Sequence, residues 1–341
     1  MRRSWLLEVV VVVSTISSSS PLSSEETTIL CAGDVLLAGG VLAVMREKGA
    51  QSPWEGTAEF LSSADIALCN LEAPFGRDGE PWAKKFTFIT PPHCISGLSE
   101  AGFDLVSLAN NHIMDYGAGA LKTTLSLLKE EGIGFSGAGL DIEEARRLAI
   151  VERRGLKVGL LSYSKTFPTG FYAGRRRPGT APGYEGHLKQ DIPKSKEDVD
   201  FLIVAFHWGG EWSSEPRPYQ TYLGRMAVDL GADLVVGHHP HVFQGIEVYK
   251  SAIIAYSLGN FVFGSLSKKA RGILLRVKVR EGRIVEGEVL PLRVRNDVVS
   301  YQPAILKGRE AEVEIDEIKE LSLPFGTEIL LKGDVGLIQL P

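Results

Sequence analysis

Between residues 28 and 260 the chain alternates short, continuous apolar runs with longer stretches of amphipathic periodicity. The apolar runs fall at 28–32, 65–69, 103–109, 201–206 and 233–236, and Gly, Asn and Asp bound them. Runs of this length without polar alternation suit strands covered on both faces. Between them, helical patterns appear over 41–48, 56–63, 117–131 and 218–230. Such alternation predicts an α/β fold of layered central β-sheets flanked by helices. Residues 147–152 and 157–162 read as a strand pair turned at Arg154-Gly155, and 273–279 and 283–292 as terminal sheet strands. Residues 165–195 form a long Gly- and Pro-rich connection without clear periodicity, a length that usually marks function or disorder. Residues 305–341 read as β-rich. The expected organisation is a leader at 1–26, a main domain at 27–300 and a β-rich C-terminal extension at 301–341.

The residues just past each apolar run change the picture from fold to chemistry. Gly33-Asp34 comes after the first, Asn70-Leu71-Glu72 after the second, and Asn110-Asn111-His112 after the third, with Asp115 three residues on. His207-Trp208-Gly209 comes after the fourth. The fifth ends in Gly237-His238-His239-Pro240-His241, which holds three of the seven histidines of the chain. Ligand and catalytic groups of open α/β sheets lie beyond the carboxyl ends of the strands. Five strand ends therefore deliver Asp34, Glu72, Asn111, His112, His207 and the histidine cluster to one rim. Carboxylate, amide oxygen and imidazole together suit a divalent ion such as Mn²⁺, Fe²⁺ or Zn²⁺. The alternative for the cluster is a polar loop whose imidazoles bond only to backbone or water.

These motifs, in this order, resemble those of the CapA-type capsule-synthesis proteins. The likeness rests on Gly-Asp-Val (33–35), Asn-Leu-Glu (70–72), Ala-Asn-Asn-His-Ile-Met-Asp-Tyr-Gly (109–117) and His-Trp-Gly (207–209). Gly-His-His-Pro-His-Val (237–242) and Tyr-Ser-Leu-Gly-Asn-Phe-Val-Phe (256–263) complete it. The resemblance implies a metallophosphoesterase-like fold related to calcineurin-type phosphatases, and a part in poly-γ-glutamate biosynthesis. It implies that Asp34 binds one metal, that Glu72 stands where a bridging aspartate is expected, and that Asn111 offers its amide oxygen to a second metal. His207 and the pair His239 and His241 resemble further ligands, with His238 as the alternative register. His112 resembles a catalytic general acid, its turn held by Asp115 and Tyr116. Leu36 departs from the pattern, because a histidine is expected there. Two divalent ions are thus expected. The implied partners are a phosphoester or anionic polymer substrate and a membrane-bound polymer synthase complex.

Composition narrows the alternatives. A length of 341 residues is normal for an α/β enzyme with a large sheet. A net charge of −5 offers no basic field for nucleic acid. Three cysteines make no disulfide framework. At the N-terminus, Arg2 and Arg3 precede an apolar run and a Ser-rich stretch. That order reads as a secretory signal or membrane tether, which would place the protein at the cell surface; a disordered extension on a cytoplasmic protein is the alternative. Arg175, Arg176 and Arg177 are expected to meet an anionic substrate or, as for most such runs, to be solvated surface. Two functions stay open: a metal-dependent hydrolase of a phosphoester or γ-glutamyl polymer, or a non-catalytic accessory subunit that binds or exports an anionic polymer.

Overall fold

The computed structural model describes residues 25–264 and 266–341 and shows two β-sheets packed face to face with helices outside both. The first sheet runs in the order Ile329–Lys332, Val335–Ile338, Arg283–Arg293, Gly272–Arg280, Thr27–Val35, Ile66–Leu71, Leu105–Ser107, Gly134–Ser136. Its last four strands are mutually parallel. The second sheet runs Ile246–Tyr249, Ala252–Ala255, Leu234–His238, Phe201–His207, Leu156–Ser164, Ala149–Arg153. Its four middle strands are parallel too.

Period-two alternation within the apolar runs explains the layering. Ile29 and Cys31 face the second sheet, while Leu30 and Ala32 face the helices outside the first. In the fourth run Phe201, Ile203 and Ala205 enter the same central layer, and Leu202, Val204 and Phe206 face outward onto Leu188, Ile192 and Leu223. Each strand therefore has two buried faces, which is why these segments carry no polar alternation.

Four helices lie close to their expected positions, at Gly40–Lys48, Ala58–Ser63, Gly117–Glu130 and Pro218–Asp229. The pair Ala149–Arg153 and Leu156–Ser164 turns at Arg154 and Gly155, both at positive φ. Two expectations need correction. The 165–195 connection contains most of a helix, Glu185–Lys196, which Gly186 and the internal Pro193 conceal. The 301–341 segment is not simply β-rich, because the 15-residue helix Gly308–Ser322 precedes its terminal hairpin. Ala311, Ile315 and Ile318 recur at helical spacing and enter the central layer. The hairpin extends the first sheet through Val335–Ile338, so this segment is part of the sandwich. The expected leader lies almost wholly outside the described residues, and no described helix is long and apolar enough to cross a membrane.

One close approach positions the chemistry. Asp34 donates its N–H to the Gly259 carbonyl at 2.9 Å and accepts at its own carbonyl from Phe261 at 3.0 Å. This brings residues 259–261 against the end of Thr27–Val35. A Cβ on Gly33 would fall 2.0 Å from the Gly259 oxygen, so the approach requires glycine. Gly33→Ala should destabilise the protein by about 2 kcal/mol or more, since the obstacle is backbone. Urea unfolding of both forms measures this, and equal midpoints would show that the strand end yields freely.

Candidate metal centre

The carboxyl ends of both parallel sets meet at one rim. His207 closes Phe201–His207, His238 closes Leu234–His238, and the two residues lie side by side in register. Asp34 and Glu72 come from the facing sheet, Asp34 within Thr27–Val35 and Glu72 directly after Ile66–Leu71. The side chains of Asp34, Glu72, His207 and His238 are wholly buried. His239 and His241 are buried too and adopt positive φ, 97° and 60°. Non-glycine residues in that region are strained, and such strain concentrates at functional sites.

Ligand-type atoms of Asp34, Glu72 and His207 lie within 4.8 Å of one another, and so do those of Glu72, His239 and His241. Glu72 belongs to both groups. Asn111 Oδ1 lies 2.8 Å from His207 Nε2, at the edge of the same cluster. His238 sits on the Asp34 side, with Nδ1 3.4 Å from Asp34 Oδ1. Neither of its ring nitrogens has a hydrogen-bond partner, and the same holds for His239 Nδ1 and Glu72 Oε1. Buried polar atoms are normally satisfied, so this unfilled capacity fits a cation-binding set. Leu36 lies in an apolar group with Ala38, Ala73 and Phe263 and brings no donor. All three clustered histidines therefore reach the site, where the sequence left the register open.

Electrostatics points the same way. Burial would raise the Asp34 carboxyl, yet the imidazoles of His238 and His241 beside it hold it well below its usual range. Burial and the adjacent Asp34 charge push Glu72 well above its ordinary value. Burial holds His207 well below the normal imidazole range. Burial, then the charge of His241, brings His239 down to about 3. The neutral imidazoles of His207 and His239 suit a divalent cation, whereas Glu72 would have to give up the proton that burial favours in order to bind one.

Several residues that organise the site carried no sequence signal beyond membership of a motif. Asn70 Nδ2 donates to Asp34 Oδ1 at 2.8 Å and to Glu72 Oε2 at 3.1 Å, so one amide ties the two carboxylates together. Asn110 donates to Asn70 Oδ1 at 3.1 Å and accepts from the N–H groups of His112 and Ile113, fixing the turn that presents Asn111. His241 Nδ1 lies 2.9 Å from Asn260 Oδ1.

His112 stands beside the cluster, with Nδ1 2.7 Å from Asp115 Oδ2. Lys84 Nζ lies 2.6 Å from Asp115 Oδ1 and 3.0 Å from His112 Nδ1. The carboxylate can only accept, so the shorter contact makes Nδ1 the donor to Asp115 and leaves Nε2 for chemistry. Burial lowers the His112 pKa, and Asp115 opposes the fall.

An open cleft of about 880 Å³ begins at Asn111 and His239, and its cations are Lys165 and Arg217. The arginine triplet does not line it. Arg175 and Arg177 border a separate hollow beside Tyr172, and Arg177 donates to the Tyr172 carbonyl.

The sequence model of the family described as Bacterial capsule synthesis protein PGA_cap matches residues 28–265. The chain belongs to this family. Similar curated proteins include the capsule biosynthesis protein CapA of Bacillus anthracis, 30% identical over 272 residues. That match covers 77% of this chain and 66% of the relative, so the aligned region spans just under two thirds of the relative's length. The PGA biosynthesis protein CapA of Bacillus subtilis (strain 168) is 30% identical, with 81% and 72% covered. Among solved structures, Haemophilus influenzae NAD nucleotidase is similar at 11% identity and a TM-score of 0.42, over 87% of this chain and 63% of that one.

The depressed histidines make stability depend on pH. Below about 6.5 the unfolded chain protonates His112, His207 and His239 while the folded, metal-free protein resists, so stability is lost as pH falls. The raised Glu72 works in the opposite sense, because its folded form holds the proton more tightly. Three imidazoles outweigh one carboxyl, for a net loss of at most about 2.7 kcal/mol per pH unit. Urea unfolding of chelator-treated protein near pH 7 and near pH 5 should show the decline. An unchanged midpoint would contradict this charge assignment.

Proposed function

We propose that this family member is a metal-dependent hydrolase that cleaves a phosphoester, or an amide of a γ-glutamyl polymer, in capsule or poly-γ-glutamate biosynthesis. The observation that carries the reading is Glu72, whose carboxylate is common to two buried ligand groups. In the proposed assignment Asp34, Glu72 and His207 hold one divalent ion, and Asn111, 2.8 Å from His207, joins this ion instead of the second one that the resemblance implied. Glu72, His239 and His241 hold a second, and His238 supports Asp34. When bound, two such ions supply Lewis acidity and lower the pKa of water toward neutrality. His112 gives a proton to the leaving group from Nε2 while Asp115 fixes its ring through Nδ1. Lys84 shares Asp115 and keeps that carboxylate in place.

A second reading has its own support. Leu36 withholds a donor that the resemblance leads one to expect, and a relative of Mycobacterium tuberculosis is described as a probable polyglutamine synthesis accessory protein. An accessory subunit would hold an anionic polymer at this site without turning it over.

Metal analysis with a substrate screen separates the two. His239→Ala combined with His241→Ala should remove at least half of the bound transition metal, and retention of all of it would refute the ligand assignment. His112→Ala should leave metal content near wild type and lower turnover by roughly 10²–10⁴-fold. Substrates with good leaving groups should suffer less. Unchanged turnover on every phosphoester and γ-glutamyl substrate would favour the accessory role.

A further inference from the structure

His241 holds a left-handed backbone, at φ 60°, and from there its ring meets Glu72 and His239. A non-glycine residue keeps that conformation only where its surroundings over-determine it. Two contacts supply the constraint. The ring Nδ1 lies 2.9 Å from Asn260 Oδ1, and an amide oxygen only accepts, so Nδ1 donates and Nε2 is left for an ion. The His241 carbonyl accepts from the Arg271 N–H at 3.2 Å.

Both contacts lead back to Arg271. Its carbonyl accepts from the Asn260 N–H at 2.9 Å, so one residue holds the backbone of His241 and also the partner that orients its ring. The strands meet without slack. A Cβ on Gly272 would fall 1.8 Å from the Asn260 oxygen, and one on Gly259 would fall 2.1 Å from the Arg271 oxygen. A shift of residue 271 is therefore passed to Asn260 and His241.

The side chain of Arg271 fixes its place from outside the centre. Its guanidinium lies 4.6 Å from the centre of the Phe243 ring, two residues past His241. Nε and Nη2 donate to Glu314 Oε2 at 2.9 and 2.6 Å, and Nη1 donates to Glu317. Both acids project from the helix Gly308–Ser322, whose Ala311, Ile315 and Ile318 are buried in the central layer. Directed bonds from one planar fork to a packed helix fix a position more firmly than a single ammonium could. A partly exposed ion pair adds little to stability by itself, so its placement against a candidate ligand calls for another role.

We propose that Arg271 is a positioning residue of the metal centre. Clamped by Glu314 and Glu317, it locks His241 in the left-handed conformation that brings its ring to Glu72 and His239. The proposal rests on the assignment of His241 as a ligand. It carries the centre's support into the C-terminal helix, outside the residues 28–265 that the family model matches.

Calorimetric titration of the chelator-treated full chain with Mn²⁺ tests it. Arg271→Gln should weaken one ion about 10-fold, as when a ligand loses its support, and leave the other unchanged. Glu314→Gln combined with Glu317→Gln should weaken the same ion with Arg271 still in place, which keeps the test open should Arg271→Gln fold poorly. The decisive variant adds Arg271→Gln to His241→Ala. Because Arg271 acts through His241, it should change Mn²⁺ binding by less than about twofold in that background. A further loss of about 10-fold there, or equal weakening of both ions by Arg271→Gln, would make Arg271 a general support of the fold and overturn the proposal. Wild-type affinity in both Arg271→Gln and the glutamine pair would overturn it too, with the ligand assignment intact. Wild-type binding by His241→Ala would instead remove the ligand assignment, and the proposal with it.

Discussion

Two carboxylates, Asp34 and Glu72, lie wholly buried under the single amide of Asn70, and the rest of the site is arranged around them. An isolated buried carboxylate costs several kcal/mol even after relaxation, and two sharing one pocket also repel each other. The fold meets this cost by surrounding the pair with imidazoles and an amide network. Asn110 holds Asn70, Asn70 holds both acids, and His238 and His241 approach Asp34 at 3.4 Å and 3.3 Å. The arrangement is self-consistent for a cation and poor for stability alone.

That demand explains features that packing would not require. Gly33 and Gly237 admit neighbouring carbonyls at distances a side chain would forbid. His239 and His241 accept left-handed backbone so that both rings reach Glu72. Thr27–Val35 must be central in its sheet, with antiparallel support on one side and parallel strands on the other, because it carries Asp34. Strain and close contact are concentrated within a few residues, while the two sheets supply apolar burial on every face.

The cleft outside this centre obeys a different logic. Its cations Lys165 and Arg217 share the lining with Glu185 and Glu211, its walls are aromatic, and its floor is the edge of the ligand cluster. Lys84 belongs instead to the buried part, committed to Asp115 beside His112. Three cations near one site thus divide into Lys84, committed to Asp115 beside His112, and a half-buried Lys165 and exposed Arg217 that line the cleft.

Local sequence determined the strands, because uninterrupted apolar runs ending in Gly, Asn or Asp have few other ways to bury both faces. It determined the candidate ligands for the same reason, since each lies just past such a run. The helices Glu185–Lys196 and Gly308–Ser322 were less legible, one broken by Pro193 and the other a charged segment with a narrow apolar stripe. Only tertiary structure decided which histidines share Glu72, because the choice depends on backbone dihedrals at 239 and 241 and not on spacing. It alone made Asn70 the bridge between the acids and moved the cleft's cations from Arg175–Arg177 to Lys165 and Arg217. Contacts such as Asn70–Asp34, 36 positions apart, and Asn111–His207, 96 apart, leave no local pattern, so the chain could declare its donors and not their partners.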